Sequence, residues 1–213
     1  MQTPAIAKDH WNSLHADYNR EKITYDDWLK SFDHVIQGCK SPIIDLGCGS
    51  GNDTKYLIEQ GKQVIACDYA PNAIANIRKN FPEVWAAKCF DMTEGLPFDD
   101  NTSELVIADL SLHYFPEDVT FFILGEIKRI LTPNGILLAR VNSVKDVNHG
   151  AGDGTLVERN FYRTPDGRYK RFFDAEDIHR FFSSWEILHL EEGEMTRYAL
   201  PKQLWTIMCG TKK

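Results

Sequence analysis

The sequence predicts an α/β fold: a mainly parallel sheet covered by helices on both faces. Three observations predict it. Short apolar runs alternate with amphipathic segments between residues 43 and 141. The first run, Ile43 to Leu46, breaks into a turn holding Gly47, Gly49 and Gly51, and an amphipathic segment starts at Asn52. Acids stand at or near the carboxyl ends of four runs: Asp45, Asp68, Asp91 and Asp109. Near-continuous apolar strands separated by helices are what a parallel sheet buried on both faces requires.

The elements follow in order. Asp9 to Arg20 places Trp11, Leu14 and Tyr18 at helical spacing, and Ile23 to Gln37 repeats the pattern with Gly38 as its cap. Ser41-Pro42 is a break. Ile43–Leu46 is the first strand, Asn52–Gln60 the first core helix, Gln63–Cys67 the second strand and Pro71–Asn80 the second helix, with proline well placed in its first turn. Val84–Phe90 and Glu104–Ala108 are strands, Asp118–Leu131 is a helix, Thr132-Pro133-Asn134-Gly135 a turn and Gly135–Val141 the fifth strand. Beyond it the pattern changes. Leu156–Tyr162 and Arg168–Phe173 flank Thr164-Pro165-Asp166-Gly167 and predict a hairpin. Asp174 caps a short helix, and Trp185–Leu190 and Leu204–Gly210 are two final strands joined by a long connection. The expected organisation is one domain over 1–213: N-terminal helices at 1–40, a ligand-binding core at 41–142, an insertion over the substrate face at 143–173, and a closing helix and strands at 174–213.

The bulk numbers narrow the function. A chain of 213 residues with 43% hydrophobic and 26% charged residues has enough length and apolar content for a sizeable core. Its net charge of -7 does not suit general nucleic-acid binding, which draws on phosphate neutralisation. The five cysteines show neither a C-x-x-C pair nor zinc-like spacing, so reduced, mostly buried thiols and no metal are expected. No apolar leader and no run long enough to span a membrane is present, which makes the cytoplasm the expected location.

In an open parallel sheet, ligands bind beyond the carboxyl ends of the strands. Each acid there has a chemical use. Gly47, Cys48 and Gly49 let backbone approach a ligand, while Asp45 braces the turn or meets a cationic group. Asp68 is placed to accept from two ribose hydroxyls. Asp91-Met92 suits an adenine ring, with a carboxylate for the amine and a polarisable thioether for the face. Asp109 and Leu110 open the loop after the fourth strand, beside the reacting group. Taken singly, each acid equally fits a helix cap or a solvated strand end. The third glycine comes one residue too early for the dinucleotide fingerprint, and no G-K-[ST] follows. A pyrophosphate would meet the charge of Asp45, whereas a ligand with an amino-acid end would use it. This favours S-adenosylmethionine.

The motif Asp45-Leu-Gly-Cys-Gly-Ser-Gly, with Asp68, Asp91-Met92 and the Leu-Thr-Pro-Asn-Gly-Ile-Leu-Leu run at 131–138, resembles the class I S-adenosylmethionine-dependent methyltransferases, in their small standalone type. The resemblance implies a Rossmann-like doubly wound sheet of seven strands with the last one antiparallel. It implies cofactor contacts at Asp45, Gly47, Gly49, Asp68, Asp91, Met92 and Asp109, with Tyr69 packed on the adenine. It departs at Ala70, where the family often has a Ser or Thr that caps the second core helix, so a weaker cap is expected.

Methyl transfer from a sulfonium is an in-line displacement and needs a base only if the acceptor must lose a proton. His113, Tyr114 and His149 are the candidates, although a histidine in an apolar stretch is more often structural. Trp11 and Tyr18 on the N-terminal segment are expected to close over the cofactor. Asp-Leu-Ser-Leu after the fourth strand is not the motif of enzymes that methylate nucleobase amines. Arg159, Arg163, Arg168, Lys170 and Arg171, interleaved with aromatic residues, form either a receptor for an anionic substrate or one solvated hairpin face. A small-molecule acceptor is therefore expected. Transfer to protein or RNA, and a non-catalytic binding module, stay open.

Overall fold

The computed structural model describes residues 5–15, 23 and 26–211. Helix α1 spans Ala5–Leu14. The rest of the helix expected to run to Arg20, with Tyr18, lies outside the described residues. The second predicted helix is shorter than the apolar spacing suggested. A 3-10 turn over Trp28–Phe32 leads into α2, Asp33–Gly38, because Asp27 sits in the left-handed region at φ 59 and cannot continue a right-handed helix backwards.

The core then follows the expected alternation: β1 Ile43–Leu46, α3 Asn52–Glu59, β2 Val64–Asp68, α4 Pro71–Asn80, β3 Ala86–Cys89, β4 Ser103–Asp109, α5 Glu117–Ile130 and β5 Leu131–Asn142. After these come three short strands, β6 Thr155–Glu158, β7 Phe161–Arg163 and β8 Tyr169–Arg171, then α6 Ala175–Phe181 and the long pair β9 Trp185–Met195 and β10 Lys202–Thr211. Seven strands form one sheet in the order β3-β2-β1-β4-β5-β10-β9. β10 runs antiparallel to both neighbours, and the pairs among β1 to β5 are parallel. This is the Rossmann-like doubly wound sheet with an antiparallel last strand.

Strand periodicity divides the core between the two faces. Val106 and Ala108 of β4 join Leu137 and Ala139 of β5 under α5, with Ile123 and Ile127 packed on them. Leu105, Ile107 and Leu138 face the other way, onto Leu29, Phe32, Ile36, Tyr56 and Leu57. Strand order reverses between β1 and β4, so the loops after these strands diverge and open a crevice at their carboxyl ends.

Three predicted boundaries are corrected. The Thr132–Gly135 turn is not a separate loop. It is a bulge inside β5, with Asn134 at φ 66 and register passing from Ser103↔Leu131 to Leu105↔Ile136. The hairpin at 156–173 is a three-stranded meander, since Asn160 at φ 55 folds the first predicted strand in two. Finally, β9 runs on through the Glu191–Glu194 stretch and pairs to Lys202↔Met195, leaving a short connection. Charged residues hid this strand, yet β9 is a sheet edge, where charge is tolerated and discourages pairing with another chain.

Cys39, Cys48, Cys67 and Cys209 are buried free thiols and Cys89 is an exposed one. Among the described residues, no helix is long and apolar enough to cross a membrane and no cluster of three potential metal ligands occurs.

Candidate active site

A cavity of about 810 Å³ lies over the crevice between β1 and β4. That is within the roughly 300–1,000 Å³ of small-molecule sites. One end is built from the glycine turn. Gly47 has φ 84, and a Cβ there would stand 2.3 Å from the Cβ of Ser111. The Ser111 hydroxyl donates to the Leu46 carbonyl at 2.7 Å, which locks the β4 loop against the turn. The Gly47 and Cys48 N–H groups are spent on the Cys67 carbonyl. The Gly49 N–H donates to Asp68 Oδ2 at 3.0 Å. The other oxygen of Asp68 accepts from Ala70 N–H at 2.8 Å.

That last contact bears on the missing cap of α4. Ala70 offers no side-chain cap. Asp68 takes the Ala70 N–H, and Asn12 of α1 takes the Asn72 N–H at 2.9 Å. A residue on another helix thus supplies what a Ser or Thr at position 70 would have done.

Asp45 is buried and accepts from the Thr54 hydroxyl at 2.6 Å. Burial pushes its carboxyl up to about 7, against the hydrogen bond from Thr54 and helped by the charges of Asp109 and Asp68. Asp91 accepts from the Thr93 N–H and hydroxyl and pairs with Lys8 at 3.1 Å, while Met92 is buried beside it. The Tyr69 hydroxyl donates to the Ala7 carbonyl at 2.8 Å. Asp45, Tyr69, Asp91 and Met92 line the cavity.

Asp109 also lines the cavity, but its carboxylate is occupied. Arg140 meets it through Nε at 2.7 Å and Nη2 at 3.0 Å, and Arg197 meets it at 3.1 Å. Burial acts to raise its pKa, but the two guanidiniums outweigh burial and hold it below the ordinary value. Arg140 continues to Asp26 at 2.6 Å and lies over the Trp28 ring. Asp109 therefore braces the loop after β4 through its side chain. Leu110 follows at φ 54, held there by its N–H bond to the Arg140 carbonyl.

The opposite wall is the β6–β8 meander with the 197–202 corner. His113 and Tyr114 reach it from the β4 loop, and the His113 carbonyl accepts from Arg171 N–H of β8 at 2.7 Å. His113 is buried, and its Nδ1 meets no partner among the described residues. Burial first, then the charges of Lys202 and Lys170, hold its pKa well below the usual histidine range, so it is neutral. Burial pushes the Tyr114 phenol up. His149 lines the same wall, its Nδ1 2.8 Å from Asp146 Oδ1.

Sequence reasoning missed His15. Its Nδ1 lies 3.2 Å from the Ser50 hydroxyl, and a Cβ at Gly49 would stand 3.4 Å from its ring, so α1 lies directly on the glycine turn. The signal was present: His15 stands four residues after Trp11, on one helix face. Asp53 and Trp28 were missed too; the indole donates to the Asp53 carboxylate at 3.0 Å.

Residues 44–139 match the methyltransferase domain family model. That segment, which holds β1 to β4 and most of β5, is similar to methyltransferase domains. An uncharacterized methyltransferase of Synechocystis sp. is 32% identical over 94 residues, which is 44% of this chain and 43% of that protein. The tRNA N(3)-cytidine methyltransferase of Danio rerio is 26% identical over 154 residues, 67% of this chain and 43% of that protein. The chain thus spans about half the length of these curated relatives. Among solved structures, the 1,6-didemethyltoxoflavin-N1-methyltransferase of Burkholderia thailandensis, with its substrate and S-adenosylhomocysteine bound, superposes with a TM-score of 0.72 over 98% of this chain and 88% of that one, at 18% identity.

The cavity fits S-adenosylmethionine, the cofactor that the glycine-turn motif implies. Asn52 Oδ1, at the start of α3 beside the glycine turn, is buried without a partner among the described residues and is an acceptor for a cationic N–H group. Each carboxylate oxygen of Asp68 carries a second lone pair for a hydroxyl donor.

Proposed function

We propose that the chain transfers the methyl group of S-adenosylmethionine to a small molecule held between the β4 loop and the β6–β8 meander. One observation carries this reading: α1 and the meander meet across the mouth of the cavity. Arg168 Nη1 lies 3.0 Å from His10 Nε2, and Trp11 packs edge-on against Tyr114 with ring centroids 5.3 Å apart. The cavity behind that contact, about 810 Å³ in all, takes in both the glycine turn and the far wall.

When bound, S-adenosylmethionine supplies an activated methyl on a sulfonium. The residues of the chain do the rest. Asp45, Gly47, Cys48, Gly49 and Asn52 hold the amino-acid end, Asp68 the ribose, and Tyr69, Asp91 and Met92 the adenine. Leu110 and the Asp109 backbone border the reacting centre, and α1 covers the ligand. Water exclusion by α1 and the meander favours direct transfer over hydrolysis. Where the acceptor atom carries a proton, neutral His113 receives it at Nδ1 as the new bond to carbon forms and the sulfur keeps the old bonding pair. Tyr114 orients the acceptor. The cytoplasm is the proposed location.

A tRNA acceptor is favoured by the Danio rerio relative and by a tRNA N(3)-methylcytidine methyltransferase of Drosophila melanogaster, 29% identical over 148 residues. Against it, the basic residues of the meander are largely engaged, Arg163 being exposed. Arg171 is buried on Glu158, Arg159 pairs with Asp174 and Glu176, and Lys170 lines the cavity. The test uses methyl-labelled S-adenosylmethionine with a metabolite pool, a tRNA fraction and a protein fraction side by side. Label in the metabolite pool is expected. Label in tRNA or protein instead would overturn the small-molecule acceptor, and failure to bind the cofactor would overturn methyl transfer itself.

A further inference from the structure

The cation balance of the far wall is uneven. Lys202 pairs with buried Asp146 at 2.6 Å, and Arg168 pairs with Asp166 at 2.7 Å. Lys170, between them in the cavity lining, has no carboxylate partner among the described residues. Its ammonium donates to the His149 carbonyl at 3.0 Å. Burial, and then the charge of Lys202, push its pKa down to about 8, against the pull of Asp146. A second donor is unspent: Arg197 Nη1 is buried without a partner among the described residues, and Arg197 borders the same cavity. Desolvated cations without a counter-charge are costly, and elsewhere in this fold they are paired, as Arg140, Arg171 and Arg180 are.

The wall around these donors is aromatic. Phe161 and Tyr169 stack with centroids 5.5 Å apart, and Tyr198 faces His149 at 5.7 Å. Such faces favour a flat ligand.

We propose that the methyl acceptor is a small aromatic anion, bearing a carboxylate or phosphate group that Lys170 binds and the Arg197 Nη1 donor supports. This rests on the small-molecule methyl-transfer reading and names its substrate class. Lys170 is a binding residue here. It supplies the charge that the other cations of the wall, already neutralised by Asp146 and Asp166, do not. The anion in turn fixes which edge of the ring points toward His113.

Calorimetry tests this without turnover. Benzoate, phenyl phosphate and neutral benzamide are titrated into the protein, with and without S-adenosylhomocysteine. At least one anion is expected to bind about tenfold or more tighter than benzamide, as for a charge-assisted hydrogen bond. Which anion prevails tells carboxylate from phosphate. Lys170→Met should erase the preference while leaving S-adenosylhomocysteine affinity and thermal midpoint close to the parent's. Should that variant fail to fold, Lys170→Gln, which keeps a donor for the His149 carbonyl, carries the same comparison. Equal affinity for anions and amide, no anion binding at all, or a preference that survives both substitutions would overturn the proposal. Loss of S-adenosylhomocysteine binding by the parent protein would instead sink the methyl-transfer reading, and the anion preference of the ligand-free protein would still decide this one.

Discussion

His10 Nε2 and Arg168 Nη1 lie 3.0 Å apart and join the N-terminal helix to the meander over the cavity. A guanidinium only donates, so His10 must be neutral and accept. Burial first, and the Arg168 charge second, hold His10 below its ordinary value of 6.5, with Asp166 opposing. The closed arrangement therefore binds fewer protons than an open one. Closure is favoured above that ordinary value and is lost as pH falls through the lowered one. S-adenosylhomocysteine affinity is expected to fall about fivefold or more between pH 7.5 and 5.5. Much of that slope should vanish in His10→Gln, which isolates it from the His15 and Asp45 titrations nearby. An identical slope in the two proteins would remove His10 from the closure.

The Gly47–Ser111 contact makes a stability prediction. Alanine at position 47 meets two costs: a left-handed backbone at φ 84 and a 2.3 Å approach to the Ser111 Cβ. Backbone strain is worth about 1–3 kcal/mol, and overpacking adds about 1–3 kcal/mol. Denaturant unfolding of Gly47→Ala should show a loss in that combined range. In a Ser111→Gly background, which itself loses the hydroxyl bond to the Leu46 carbonyl, Gly47→Ala should cost only the strain. A Gly47→Ala protein as stable as the parent would mean that the β4 loop does not pack on the turn.

The sheet was legible because its strands are short, apolar and bounded by glycine, proline or acid. β1 and α4 fall where the residue pattern put them. Legibility ended where local chemistry and tertiary role part company. Glu191–Glu194 belongs to a strand because its neighbour β10 pairs with it, not because glutamates prefer strands. Asn160 splits a hairpin through one backbone conformation that no periodicity reveals.

The candidate site was legible in its acids and opaque in their partners. Asp109 stands at its strand end as expected, but the sequence holds no hint that Arg140 and Arg197, 31 and 88 residues away, close on its carboxylate. The basic run at 159–171 read as one patch. The meander sorts it, sending Arg171 into the core and leaving Lys170 in the cavity. His15 shares a helix face with Trp11, but its partner Ser50 in the glycine turn lies 35 residues further along the chain.

Asp45 carries the last prediction. Burial holds its carboxyl up to about 7. For the unliganded fold, a raised carboxyl means stability that is full below the ordinary value of 3.8 and is lost as pH rises through about 7. A ligand that brings positive charge into the cavity favours the ionised form and expels the proton. S-adenosylmethionine carries both an ammonium and a sulfonium, whereas S-adenosylhomocysteine lacks the sulfonium charge. Near neutral pH, binding of the first should release more proton than binding of the second, and its affinity should rise from pH 6 to 8. Calorimetry in buffers of different ionisation heat measures the release directly. Asp45→Asn has no proton to give, so the buffer dependence should flatten. Proton uptake by the parent protein, or the same release from Asp45→Asn, would move the cationic end of the cofactor away from this turn.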